Sequence, residues 1–270
     1  MVMYGAQIAF KEYVPALGIH KSPWVGFTHF QSFFSSRYFS RILGNTLIIS
    51  FLSLAFVFPA PIIFALLLNE IRKKTVKRFV QTVSYLPHFV SIMVVAGMII
   101  NFTARGGFIN DLVELFGGER LNWLQLPGAF RPIYIISEVW QTIGWTSIIY
   151  IAALTSVDQE RYEAAEVDGA GRLQKMWYIS LPSIMPTITT MLILRIGNIM
   201  NVGFEKIFLL YNDATRETAD VISTFVYRRG LMDFAFSFSS AVGLFNSVIS
   251  LILLFSANYL SRKMTESSIF

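Results

Sequence analysis

The chain has 270 residues, 54% hydrophobic against 14% charged, with 25 Phe, a net charge of +5 and a mean hydropathy of +0.55. That balance is too apolar for one water-soluble core, so the chain reads as a membrane protein. With no Cys, disulfides, thiol nucleophiles and thiolate metal sites are excluded.

A bilayer core of about 30 Å takes about 20 apolar residues as helix. Residues 1–41 contain no such run. Pro15, Gly18, Pro23 and Gly26 interleave there with aromatics, which predicts an external segment packed on the membrane face. Five runs then reach the required length: 43–69, 79–102, 132–157, 184–210 and 236–260. All five are expected to be helices, because backbone in lipid must satisfy its own hydrogen bonds and a β-barrel would show short segments in strict alternation. The expected fold is all-α, a polytopic membrane helix bundle. Pro59 and Pro61 fall near the middle of the first run and are expected to break it there.

Orientation comes from Lys and Arg. Arg72, Lys73, Lys74, Lys77 and Arg78 crowd between the first two runs, and Arg262 and Lys263 follow the last one, so both segments are expected in the cytoplasm. Outside the five runs the two sides are even, ten basic residues on each, with Arg195 and Lys206 within the fourth run, so the assignment rests on density. Five spans ending in the cytoplasm leave residues 1–41 outside. The expectation is therefore an upstream first helix, with the sequence beginning inside or just after it. The chain divides into an external segment 1–41, a transmembrane domain 42–260 and a cytoplasmic tail 261–270.

The third run carries Glu138, Trp140, Trp145 and Tyr150. Rings there can stack on a flat ligand face, while aromatic belts and helix packing explain them at least as well. Between the third and fourth runs lies a polar loop, 158–183, in which eight charges surround Ala164, Ala165 and Val167. It predicts an amphipathic helix along the cytoplasmic surface. Gly169 and Gly171 then permit a sharp turn or a close backbone approach, and Pro182 and Pro186 suit the first turn of the next span. On residues alone, an inert connector at the interface explains this loop equally well.

In the fourth run Arg195 falls near mid-bilayer, with Glu205 about three turns further on. Ionisable groups in a span face protein or a water-filled path. Arg195 could pair with Glu138 or with a second subunit, or offer bidentate donors to a ligand carboxylate or hydroxyls. No catalytic constellation is present. His20, His29 and His88 lack ligand spacing, so no metal site is expected. A phosphate-binding G-x-x-x-x-G-K-[ST] loop is absent. Gly169, Ala170 and Gly171 make a poor dinucleotide fingerprint, because Gln174 stands where the third glycine belongs. An ion-coupled secondary transporter or a channel would need similar spans and buried charges.

Glu163, Ala164, Ala165, Gly169, Ile179, Leu181 and Pro182 stand at the spacing of the EAA signature of binding-protein-dependent ABC importer permeases. The segments SPWVGFTHF, FPAPIIFALLLNE, GWTSIIYIAAL, GFEKIFLLYN and DVISTFVYRRG resemble the carbohydrate-importer branch, especially permeases for oligosaccharides from acidic polysaccharides. The resemblance covers nearly the whole chain. It departs after the fifth helix of the family, where Asn212, Asp213 and Ala214 replace a frequent Gly-Gly-Pro. It implies a type I importer permease fold with six core helices, and a non-catalytic subunit forming half of a sugar pathway. Implied partners are the lipid bilayer, a second homologous permease in a heterodimer, two ATPase subunits and an external solute-binding protein; nucleic acid is not among them. Glu163, Ala164, Ala165, Asp168, Gly169, Ala170, Leu181 and Pro182 would form the joint to the ATPase. Arg195, Glu138, Trp145 and Glu205 are the candidates for the pathway. No cofactor is implied on this chain, with ATP and Mg on the ATPase, and the location implied is the bacterial cytoplasmic membrane.

Overall fold

The first apolar run is one helical path of 31 residues, Phe39–Asn69, in which α1 (Phe39–Leu52) passes into α2 (Pro59–Asn69). The prolines do not break it. A single wide turn at Ser53–Val57 precedes them, in which the Phe58 N–H reaches back five residues to the Ser53 carbonyl at 3.0 Å. That turn absorbs the missing donor of Pro59, which then opens α2 where no N–H is required. The computed structural model of the chain describes residues 2–265.

The second run is not one helix. It divides into α3 (Lys74–Phe89) and α4 (Ile92–Thr103), with Val90 extended at ψ 133 just after Pro87. Hydropathy does not register this break, because Val90 and its neighbours are as apolar as a continuous helix would be. The basic cluster opens α3, whose apolar residues Val76, Phe79, Val83 and Leu86 recur at helical spacing along one exposed face. A short α5 (Phe108–Leu115) follows, then α6 (Pro127–Thr155), which covers the third run.

The loop after α6 holds α7 (Gln159–Val167) and α8 (Arg172–Lys175). From Arg172 the chain stays helical into α9 (Met185–Gly197), bent by 60° beside Ile184. The fourth run therefore ends as helix at Gly197, and α10 (Phe204–Leu210) is separate from it, so the expected single span 184–210 is corrected to a bent path that begins in the polar loop. α11 (Ile222–Tyr227) and α12 (Phe236–Thr265) complete the chain. α12 carries five residues of the expected tail as helix, and 266–270 lie outside the described residues. By length and composition three helical paths are long and apolar enough to cross a membrane, or four with the bent pair, among the described residues. α6, at 29 residues, has the length without the apolar density.

The chain falls into two compact units. The first comprises 1–50, 96–133 and 197–253. Its core joins Phe33, Ile42, Met200, Ile222, Phe225 and Val242, with Phe33 edge-on to Phe39 at 5.0 Å. Residues 2–41 belong to it and are folded: the Glu12 N–H donates to the Pro23 carbonyl at 2.9 Å, and the Tyr13 N–H to Ser237 Oγ at 2.8 Å. The second unit comprises 51–95, 134–196 and 254–270. Ile62, Ala65, Leu66, Tyr150, Leu154 and Ile184 form its core. In lipid such contacts hold through close packing more than through exclusion of water.

Gly144 shows how close that packing is. A Cβ there would lie 2.1 Å from the Ser84 carbonyl oxygen, so α6 and α3 meet backbone to side-chain position. Gly144→Ala is expected to destabilise the protein by about 1–3 kcal/mol, the usual cost of overpacking. A melting temperature equal to that of the parent would contradict this.

Candidate functional site

The loop 158–183 is built by capping. Asp158 caps α7, its carboxylate accepting the Glu160 N–H at 3.0 Å. The other end closes through two bonds, Ala170 N–H to Ala165 carbonyl at 2.8 Å and Gly169 N–H to Glu166 carbonyl at 3.1 Å. This pair is a Schellman motif with Gly169 at the left-handed position, φ 77. A Cβ on Gly169 would meet nothing within 4 Å of this chain, so the glycine answers the turn and not crowding. Gly171 starts α8, and its N–H is taken by Gln174 Oε1 at 2.7 Å.

Two side-chain links hold the loop as a unit. Lys175 Nζ donates to Glu166 Oε2 at 3.3 Å, and the hydroxyls of Tyr162 and Ser180 lie 2.9 Å apart. Leu181 packs against the core of its unit and Pro182 begins the next turn. Glu163, Ala164, Asp168 and Gly169 are exposed, and Ala165 and Ala170 are half-buried. The expected amphipathicity is absent. α7 is polar all round, and its Val167 is 89% exposed beside exposed Leu173, Trp177 and Tyr178. α7 is thus a polar helix capped at both ends and flanked by exposed apolar side chains.

The pathway candidates are more scattered. Arg195 is exposed on the last turn of α9, so it stands at a helix end and not inside a continuous span. Glu205 is exposed in the first turn of α10, beyond the non-helical stretch 198–203, so it is not three turns further along one helix with Arg195 as expected. Glu138 is half-buried on α6. Trp145 has one face covered by His88, whose ring stacks on it at 4.8 Å with planes 4° apart, and Phe89 meets it edge-on at 5.3 Å. Tyr150 is wholly within the core. Among the described residues no group of three His, Asp or Glu could hold a metal ion.

A cluster in the first unit has no counterpart in the sequence reading beyond the segment DVISTFVYRRG. Asp220 is fully buried, and its carboxylate accepts from Arg228 Nη2 at 2.6 Å and Thr224 Oγ1 at 2.8 Å. Asn45 Nδ2 donates to the carbonyls of Glu217 and Asp220 at 2.9 and 3.0 Å, and Arg131 Nη2 donates to Asn45 Oδ1 at 2.8 Å. Asn212, where the sequence departs from Gly-Gly-Pro, makes a turn of its own: its Oδ1 accepts from the N–H groups of Ala214 and Thr215 at 3.0 and 3.1 Å. Its Nδ2 reaches the Leu124 carbonyl at 2.7 Å. An asparagine thus supplies by side-chain bonding the turn that glycines would supply by backbone freedom.

The chain matches the family described as the binding-protein-dependent transport system inner membrane component over residues 57–266. It belongs to that family. Membership makes it a membrane-embedded permease component of an ABC importer. Among its relatives, Protein LplB of Bacillus subtilis (strain 168) is 48% identical over 269 residues, covering 99% of this chain and 85% of the relative. The polygalacturonan/rhamnogalacturonan transport system permease protein YteP of the same organism is also 48% identical, covering 99% of this chain and 84% of YteP. A crystal structure of a bacterial ABC transporter involved in the import of the acidic polysaccharide alginate superposes with a TM-score of 0.91 at 45% identity, covering 98% of this chain and 89% of that one. A bacterial alginate ABC transporter in complex with an alginate pentasaccharide-bound periplasmic protein gives 0.92 at 44% identity, with 99% and 90% covered.

Proposed function

We propose that the chain forms half of the pathway of an ATP-driven importer for an acidic oligosaccharide derived from a polysaccharide. It works with a second homologous permease in a heterodimer, two cytoplasmic ATPase subunits that bind ATP and Mg, and an external solute-binding protein. It resides in the bacterial cytoplasmic membrane with its C-terminus in the cytoplasm. The observation that supports this reading most is the doubly capped α7 loop, which presents Glu163 and bare apolar residues to a partner at the spacing of the importer signature. Similarity to a permease for galacturonan fragments and to an alginate importer supports an acidic cargo.

Coupling follows from how the loop is anchored. The loop passes from α8 into the bent path that leads to α9, and the Lys175–Glu166 link ties α7 to that path, so a partner that grips α7 moves a span and not a slack connector. Charged contacts at such a joint carry large penalties when one partner is removed. Glu163→Lys is expected to lower ATP-driven uptake about 10-fold with insertion intact, the effect of losing a charge-assisted bond and adding a repulsion. Wild-type uptake at equal expression would count against coupling through this residue.

Arg195 is the proposed contact for a substrate carboxylate, since a guanidinium binds one bidentately. Arg195→Met should reduce uptake of an acidic oligosaccharide more than of its neutral counterpart. Equal losses on both would assign Arg195 to structure. The overall test is reconstitution with the ATPases, second permease and binding protein in sealed vesicles. Uptake of tetragalacturonate should require ATP and stop when the ATPase phosphate-loop lysine is replaced; uptake driven by an ion gradient alone would overturn the importer reading.

A further inference from the structure

A cavity of about 620 Å³ opens within the first unit, between α10, α11 and α12. Its size lies in the range of small-molecule sites. Its lining carries polar atoms with nowhere to bond. Ser239 on α12 is 7% exposed, and neither its hydroxyl nor that of Ser223 on α11 has a hydrogen-bond partner. A serine in a helix ordinarily returns its proton to the carbonyl four residues back, as Ser247 on the same helix does to Gly243 at 3.0 Å. Asn246 gives its Nδ2 to Asn201 Oδ1 at 2.9 Å, which leaves its own Oδ1 as a third buried atom without a partner. Room beside Ser239 is kept by Gly230, where a Cβ would lie 2.9 Å from the Ser239 hydroxyl.

Buried polar groups left unpaired are costly and rare in native proteins, so three around one cavity point to an occupant that satisfies them. The remaining walls state its chemistry. Phe204 and Tyr227 line the same space, with ring centroids 5.2 Å apart, and offer apolar faces beside the hydroxyls. Among the described residues no Lys, Arg, Asp or Glu lines the cavity. A carboxylate would lose its hydration there without gaining a counter-charge. Hydroxyls that donate and accept, an amide acceptor and aromatic faces together match a sugar ring with its hydroxyl edge and C–H face.

We propose that this cavity is a saccharide subsite that reads ring hydroxyls and not the acidic group of the cargo. It rests on the importer reading and extends it. Recognition of the ring is thereby placed on α11 and α12, on walls that carry no charge.

The test uses the assembled importer in vesicles, with tetragalacturonate and its carboxyl-reduced neutral counterpart as probes. In the double variant Ser223→Ala plus Ser239→Ala, kcat/KM for uptake of both probes should fall about 25-fold, or about 5-fold for each hydroxyl removed. The melting temperature of the sugar-free complex should hold or rise, because each change removes an unpaired hydroxyl. Parental kcat/KM in the double variant overturns the subsite, and so does a loss confined to the acidic probe. A complex that melts lower with unchanged uptake also overturns it, by assigning the serines to packing. Should the double variant fail to assemble, Ser223→Ala alone carries the same comparison, with the single-hydroxyl fall expected. Absence of ATP-driven uptake of either probe by the parent overturns the importer reading and the subsite with it.

Discussion

Asp220→Ala is expected to cost about 3–5 kcal/mol, enough to remove most of the folded permease, because it strands the Arg228 guanidinium without its counter-charge. Asp220 is 0% exposed and the Arg228 side chain 20%. Their shortest contact, 2.6 Å, is reinforced by Thr224 Oγ1 at 2.8 Å and by a second guanidinium nitrogen at 3.3 Å. Tyr211, 3.4 Å from Arg228 Nη1, is too weak an acceptor to replace the carboxylate. The damage should spread, because Asn45 binds the carbonyl of Asp220 itself and Arg131 binds Asn45. The diagnostic variant is the pair Asp220→Ala and Arg228→Met. Removing both charges together should recover much of the stability forfeited in the single change, since the penalty lies in the unpaired ion and not in the absence of the pair. Yield of monodisperse protein and its melting temperature measure this. A single variant as stable as the parent would show that water reaches Arg228 freely.

That cluster also marks where reading from residues stops. An Asp and an Arg eight positions apart have no periodic relation that predicts contact, and Asn45 and Arg131 join the same cluster from more than 80 positions away. The loop lies at the other extreme. Its caps are local, Asp158 before a helix and Gly169 after one, so residue order alone predicts helix, turn, helix. Its polarity is harder to read, because Ala164, Ala165 and Val167 suggest an apolar stripe that helical spacing does not produce. Helix continuity misleads in both directions. Pro59 looks like a break but follows a wide turn that removes the conflict, whereas Val90 breaks a helix with no loss of apolar composition, and Asn198, Asn201 and Gly203 break another inside a run whose average hydropathy hides them. Hydropathy measures what lipid accepts, and helix ends depend on backbone bonds that it does not register. The five expected runs therefore locate apolar chain correctly and helix ends poorly. The cavity on α11 and α12 is hidden for a related reason: serine in a helix is ordinarily self-satisfied, and only coordinates reveal which serines are not.

Gly169→Val is expected to lower uptake about 30-fold, equivalent to about 2 kcal/mol, because a β-branched residue must hold the left-handed conformation at φ 77 or leave it. Leaving it opens the Schellman closure, frees the carbonyls of Ala165 and Glu166, and re-aims α8 with the Lys175 link to Glu166. The ATPase should then no longer co-purify with an otherwise inserted permease. Gly169→Ala should fall between, and Gly169→Asn should retain most activity, because asparagine occupies the left-handed region at little cost. The order Asn, Ala, Val separates two roles for one glycine. Within this chain a Cβ at 169 is unobstructed, so any penalty that follows side-chain size and ignores backbone preference must come from a partner surface lying against it. If Asn disables coupling as fully as Val, the glycine serves close approach by the ATPase; if Asn works and Val does not, the turn itself is what the signature preserves. Unchanged ATPase co-purification and uptake with Val would exclude both roles.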